Sequence, residues 1–186
     1  MDIYQIFVTH NPAWTRREIL FFLFVLALAT VWEVYLVSKH KIKVYQAVAT
    51  LMLLTFIAIV YASTVFTRNP MPYARYMLKP FWSYEYIFSG NKYYIKECFL
   101  NFILLMPAGL LLPFVFDKKL RWWQGLLFGI VLSGGVEILQ LVLKRGLFEW
   151  DDIFHNSLGC MLATILSSCM YGIISKISTI IKYRKH

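Results

Sequence analysis

The sequence is short of charge. Only 16% of its 186 residues are charged, whereas 59% are hydrophobic. A soluble globular domain carries roughly 25% charged and about 45–50% apolar residues. The charged residues stand mainly between long apolar runs, so no polar stretch is left for a separate soluble domain. The composition therefore predicts one membrane domain over residues 1–186.

Cysteine is also scarce. The three cysteines are Cys98, Cys160 and Cys169. No pair has a metal-ligand or redox spacing, so we interpret them as small packing residues. Carboxylates at Glu137, Asp151 and Asp152 are the right residue type for a metal, but no spacing demands one. We predict no metal and no cofactor.

A basic stripe of the kind that binds nucleic acid is missing, although the net charge is +9. The Lys and Arg residues stand in short loops and in the tail, each beside an apolar run. Such residues orient membrane proteins and contact anionic lipid heads. The charge pattern therefore predicts membrane lipids as partners and excludes nucleic acid.

Five apolar runs are long enough to cross a bilayer, which takes about 20 residues per helix. They cover residues 19–37, 44–65, 98–116, 125–142 and 153–174. The first run contains Ala27-Leu28-Ala29 after two arginines, a pattern also typical of a cleaved signal peptide. Because the run continues to Val37 at full span length, a retained helix is the better interpretation. The predicted fold is an all-α polytopic membrane protein.

Five spans place the two termini on opposite sides. Basic residues are dense in the short loops 38–43 and 117–119 and in the tail after residue 174, which predicts a cytoplasmic C-terminus and an outside N-terminus. The long loop 68–97 is rich in aromatic rings, which suit the headgroup layer. These rings are Tyr73, Tyr76, Phe81, Trp82, Tyr84, Tyr86, Phe88, Tyr93 and Tyr94.

Polar groups inside spans are costly and indicate function by default. In the fourth span Gly125, Gly129, Ser133 and Glu137 recur every four residues, which places them on one ridge. Small residues at this spacing allow another helix to approach closely. Glu137 is therefore predicted to face a helix rather than lipid. Glu33 lies at the opposite side of the membrane and is interpreted as a snorkelling or locally paired charge.

Several helices deliver polar groups to one membrane side. The candidate site residues are Arg68, Asn101, Glu137, Gln140, Asp151, Asp152 and Asn156. Their shared depth predicts a polar pocket near the outer interface. Three plainer roles stay open: Asp151 or Asp152 as a helix cap, Arg68 as a lone anchor, and Glu137 with Gln140 as an interhelical latch.

Three segments resemble the VanZ-like family: NFILLMPAG at residues 101–109, SGGVEILQ at 133–140 and DDIFHNSLG at 151–159. Arg68 and the loop segment KPFWSY at 79–84 also fit its pattern. The resemblance covers about residues 44–168. It implies a bacterial plasma-membrane protein linked to teicoplanin resistance. Its pattern positions are Arg68, Asn101, Pro107, Glu137, Gln140, Asp152 and Asn156. It supplies no reaction.

The leading hypothesis is an envelope protein that lowers susceptibility to lipid-anchored glycopeptides, by binding the drug or by altering a lipid-linked cell-wall precursor. A second hypothesis is an intramembrane enzyme in which Glu137 acts as acid or base, Asp152 orients it and Arg68 holds an anionic head. A third is a small transporter, although no inverted repeat supports it. Whether the protein is an enzyme stays open.

Overall fold

The computed structural model describes residues 14–183, and the side chains of residues 14–177. Within these residues, five helical segments are long and apolar enough to cross a membrane, which confirms the all-α polytopic class. They are Arg16–Ser38, Val44–Phe66, Lys92–Val115, Trp122–Leu143 and Trp150–Ile177. The basic tail residues after 183 lie outside the described part of the chain.

Helix α1 (Arg16–Ser38) begins with a capping box. The Thr15 hydroxyl accepts from the Glu18 amide at 3.3 Å, and the Glu18 carboxylate accepts from the Thr15 amide at 2.7 Å. Most side chains of α1 are exposed, which suits a helix surrounded by lipid. Glu33 is the exception: it is 8% exposed, and its Oε2 atom has no hydrogen-bond partner within the described residues. The expected snorkelling or paired Glu33 is therefore wrong.

The second span changes its winding before it ends. Helix α2 (Val44–Tyr61) continues as a π-helical turn, Ala62–Phe66. The Thr67 amide closes this wider turn by donating to the Ala62 carbonyl at 2.9 Å. Such turns redirect the backbone and are frequent at functional sites. Arg68 follows directly.

Two connections on one membrane side pair with each other. Strand β1 (Arg75–Met77), in the long aromatic loop, runs parallel to strand β2 (Leu147–Glu149), between the last two spans. Helix α3 (Trp82–Phe88) follows β1, and its Trp82 ring contacts the rings of Tyr86 and Tyr94 edge-on. We call this membrane side, which carries residues 67–91 and 144–149, the loop side.

The third span is interrupted. Helix α4 (Lys92–Leu104) ends at Leu105, and helix α5 (Met106–Val115) begins with Pro107 in its first turn. Proline lacks the amide that would continue the ladder, so the break falls where Pro107 predicts it. Pro113 lies inside α5.

The last two spans form the centre of the bundle. Helix α6 (Trp122–Leu143) packs its small-residue ridge on helix α7 (Trp150–Tyr183). A Cβ atom at Gly125 would meet Thr164, and one at Gly129 would meet Ser157 and Cys160. The close approach of the two helices therefore requires glycine at both positions, as the spacing predicts. Helices α4 and α5 pack on α7, and α2 packs on α5.

A polar cluster joins three elements on the side opposite the loop side. Asp117, between α5 and α6, pairs with Lys43 at 2.7 Å and accepts hydrogen bonds from the hydroxyls of Tyr45 and Tyr171. These partners, Lys43 first, lower the pKa of Asp117 to about 2. The carboxylate thus ties the start of α2 to the end of α7.

Candidate functional site

Glu137 is the carboxylate of the candidate site with the smallest exposed fraction. Its side chain is 2% exposed and lies on the face of α6 that contacts α7. One oxygen, Oε2, accepts a hydrogen bond from the backbone amide of Glu149 at 3.0 Å. The return of the chain through β2 therefore covers Glu137 and separates it from lipid.

Asp152 and Asn156 extend the cluster along the first turns of α7. The Asn101 amide of α4 donates a hydrogen bond to the Asp152 carboxylate. The Asn156 amide donates to the Ser133 hydroxyl at 2.8 Å, and that hydroxyl lies 3.5 Å from the Asp152 carbonyl. Helices α4, α6 and α7 thus meet through one set of polar contacts.

Arg68 approaches the cluster from the end of the second span. Burial lowers the pKa of Arg68, while the nearby charges of Glu137 and Asp152 oppose that effect. Among the described residues, Arg68 forms no ion pair or hydrogen bond with either carboxylate, and its buried Nε atom has no partner. Arg68 and Glu137 are therefore not directly paired. A guanidinium with free donors beside carboxylates is suited to hold an anionic group.

Gln140 serves as a tie between helices. Its side-chain amide donates to the Thr64 carbonyl, in the π-helical turn, at 3.1 Å. The bond satisfies a carbonyl next to the irregular backbone of the second span. Gln140 therefore links α6 to the end of the second span, directly before Arg68.

Asp151 does not cap its own helix. Helix α7 already begins at Trp150, so Asp151 and Asp152 both lie inside its first turn. The Asp151 carboxylate instead accepts from the backbone amides of Phe81 at 2.5 Å and Ser83 at 3.1 Å, and from the Ser83 hydroxyl at 2.5 Å. Its role is to hold the start of α3, where Phe81 has a left-handed backbone with φ 59°.

Sequence reasoning missed two contributors. Glu149 lies beside the cluster, and its pKa rises to about 7 because it is partly buried and close to Glu97. His155 is buried and stacks on Tyr84, with its Nε2 atom 2.9 Å from the tyrosine hydroxyl. No sequence pattern marks Glu149, because its contact with Glu137 depends on how the chain folds back after α6.

The candidate residues can be compared with the groups that hold metal ions and with the grooves of the molecule. Within residues 14–177, no three His, Cys, Asp or Glu side chains are placed to hold a metal ion. Three grooves in the described part of the chain are lined by residues outside the candidate set. Hydrogen bonds join Asn101, Asp152, Ser133 and Asn156. Asp151 and Gln140 bind other elements, and Arg68 is near Glu137 and Asp152 without a direct bond. A ligand-sized pocket among the candidate residues stays a prediction.

The architecture and the cluster together define a polytopic helical membrane protein with a polar site at its loop side. The VanZ/LLP1 family model matches residues 44–171, so the chain belongs to the VanZ/LLP1 family. The first span lies outside the match, and the candidate cluster lies entirely within it. No curated protein and no solved structure shows significant similarity to the chain.

Proposed function

We propose that the protein lowers the susceptibility of a bacterium to lipid-anchored glycopeptide antibiotics such as teicoplanin. The observation that carries this proposal is the unpaired Arg68 guanidinium beside Glu137 and Asp152, inside the part of the chain that matches the family. These groups offer both signs of charge at one membrane side. Such a site suits a ligand with an anionic head and an apolar tail.

The proposed location is the plasma membrane, with the loop side outside and the C-terminus in the cytoplasm. The short basic loops support this orientation. A single cysteine at residue 186, in a variant without the three native cysteines, tests it in intact cells. An impermeant thiol reagent should leave that cysteine unlabelled. Labelling would place the cluster at the inner leaflet and would contradict the proposed contact with an external drug.

Antibiotic susceptibility tests the function itself. A host strain that carries the protein should show a higher inhibitory concentration for teicoplanin, and a smaller change for vancomycin, which lacks the lipid anchor. Equal changes for both drugs would indicate general wall remodelling. Arg68→Gln should abolish the protection. The matched control is Glu85→Gln, because Glu85 is exposed and its ion pair is with Lys79 rather than with a candidate residue.

A second candidate function is an intramembrane enzyme that acts on a lipid-linked envelope substrate. The specific support is the position of Glu137, a buried carboxylate held by one backbone amide and close to a free guanidinium. Glu137 would exchange a proton with the substrate, Asp152 would position it and Arg68 would hold the anionic head. The nearly isosteric Glu137→Gln variant separates the two functions. Full protection at normal expression favours binding, and loss of protection favours proton transfer.

A further inference from the structure

A groove separates α1 from the rest of the bundle at the loop side. Its volume is about 670 Å³, within the usual range of small-molecule sites, roughly 300–1,000 Å³. One wall is α1, the other consists of the end of α2 and its π-helical turn, and the end of α6 closes it. None of the candidate cluster residues lines it.

The groove is apolar along its length and basic at its mouth. Phe21 and Val25 of α1 face Ala58 and Phe66 of the second span. From Arg17 to Val25 the wall extends roughly 12 Å along the helix axis, at about 1.5 Å per residue. The groove therefore runs from the interface into the depth of the hydrocarbon layer.

Two guanidinium groups stand at the mouth. Arg145 follows α6 and donates a hydrogen bond to the Phe66 carbonyl, which fixes it against the π-helical turn. Arg17 belongs to the first turn of α1. The nearby Glu18 carboxylate is held by the Thr15 amide in the capping box. The mouth therefore keeps an excess of positive charge.

We propose that this groove binds one acyl chain of an anionic phospholipid, with the phosphate held by Arg17 and Arg145. The apolar walls match the chain, and guanidinium groups bind phosphate through parallel hydrogen bonds. The site lies apart from the Arg68 cluster, so the proposal does not depend on the proposed function. In this proposal a bound phospholipid is a permanent component of the structure. It links α1 to residues 44–171, the part of the chain that matches the family model.

Trp14 lines the groove and reports its occupant. The full chain is reconstituted with phospholipids that carry bromine on the acyl chain, with either a phosphatidylglycerol or a phosphatidylcholine head. The difference in fluorescence quenching between the native chain and Trp14→Phe isolates the Trp14 signal. Phosphatidylglycerol should quench Trp14 more strongly than phosphatidylcholine at equal mole fraction.

Arginine variants test the head contact. Arg145→Gln should lower the preference for phosphatidylglycerol at Trp14 by about fivefold, the effect of one basic residue near an anionic lipid surface. Arg16→Gln removes the same charge from a residue that does not line the groove, and should leave the preference unchanged. Equal quenching by both lipids in the native chain would mean an ordinary bilayer contact and would overturn the proposal.

A groove-filling variant tests the chain contact. Ala58→Phe should reduce quenching of Trp14 by both lipids, whereas Ile59→Phe, on the exposed face of the same helix, should not. Absence of quenching in the native chain would show that protein, such as a second copy, fills the groove. That result would also reject the proposal. Failure of Ala58→Phe to fold would leave the arginine variants as the decisive test.

Discussion

The carboxylate of Asp151 holds the Ser83 amide and hydroxyl at 3.1 and 2.5 Å, across 68 residues of sequence. This contact fixes the aromatic loop on the first turn of the last span. Neighbouring contacts strengthen the attachment, because the Phe81 ring packs edge-on against Phe154 and Tyr84 stacks on His155. The loop therefore forms a cover over the polar cluster rather than a free connection.

Asp151→Asn should loosen this cover. A hydrogen bond to a charged group contributes about 1.5–3 kcal/mol, and the amide of asparagine cannot accept at both positions. We expect faster hydrogen exchange over residues 82–88 in the variant, with the helical content retained. Glu85→Gln, on the exposed face of α3, is the control and should change the exchange little. Unchanged exchange in Asp151→Asn would show that the ring contacts alone hold the loop.

Glu149 should make stability depend on pH. Its pKa is raised to about 7 by burial and by the nearby Glu97 and Asp151, while Arg75 acts in the opposite direction. The folded chain therefore binds a proton more tightly than the unfolded chain, and stability is lost as pH rises from about 4.5 towards 7. Glu149→Gln should raise the melting temperature more at pH 8 than at pH 5. An equal shift at both pH values would contradict this assignment.

Gly159 and Gly134 provide a test variant and its control for the packing of the last two spans. A Cβ atom at Gly159 would collide with the Phe102 carbonyl of α4, whereas nothing lies within 4 Å of a Cβ atom at Gly134. Gly159→Ala should destabilise the protein by about 1–3 kcal/mol, because the helices must move apart. Gly134→Ala should be neutral or stabilising by up to about 1 kcal/mol, since alanine is the better helix former. Thermal unfolding in detergent measures both, and a neutral Gly159→Ala would mean that the α4–α7 contact is looser than described.

Asp117 should act as a latch on the side opposite the loop side. Asp117→Asn removes the ion pair with Lys43 and weakens the bonds from Tyr45 and Tyr171, at an expected cost of about 1.5–3 kcal/mol. Because the pKa of Asp117 is lowered to about 2, its stabilisation should be present at neutral pH and disappear as pH falls from about 4 to 2. The exposed Lys79–Glu85 pair is the comparison, and Glu85→Gln should cost less than about 1 kcal/mol. Equal losses from both variants would reject the latch.

The sequence by itself determined the helical membrane class, because long apolar runs have few other stable solutions in lipid. It also determined which face of α6 meets α7, since the four-residue spacing of Gly125, Gly129, Ser133 and Glu137 is a property of one helix. The break between α4 and α5 also follows from one residue, Pro107, which lacks a backbone amide. All three follow from periodicity or from the chemistry of a single residue.

Only the tertiary structure decided the partners across long distances in sequence. Met77 pairs with Glu149 across the two connections, and the Glu149 amide donates to Glu137, yet no periodicity in the sequence marks either contact. The partner of Asp151 was not predicted from the sequence either. An aspartate at a helix start is typical of a cap, but Asp151 binds the start of α3 instead. Arg68 and Glu137 are residue types of opposite charge that the sequence predicts at one membrane side, yet no ion pair or hydrogen bond joins them in the folded chain. Sequence patterns report which face or depth a residue occupies, whereas contact distances depend on how the helices and loops dock.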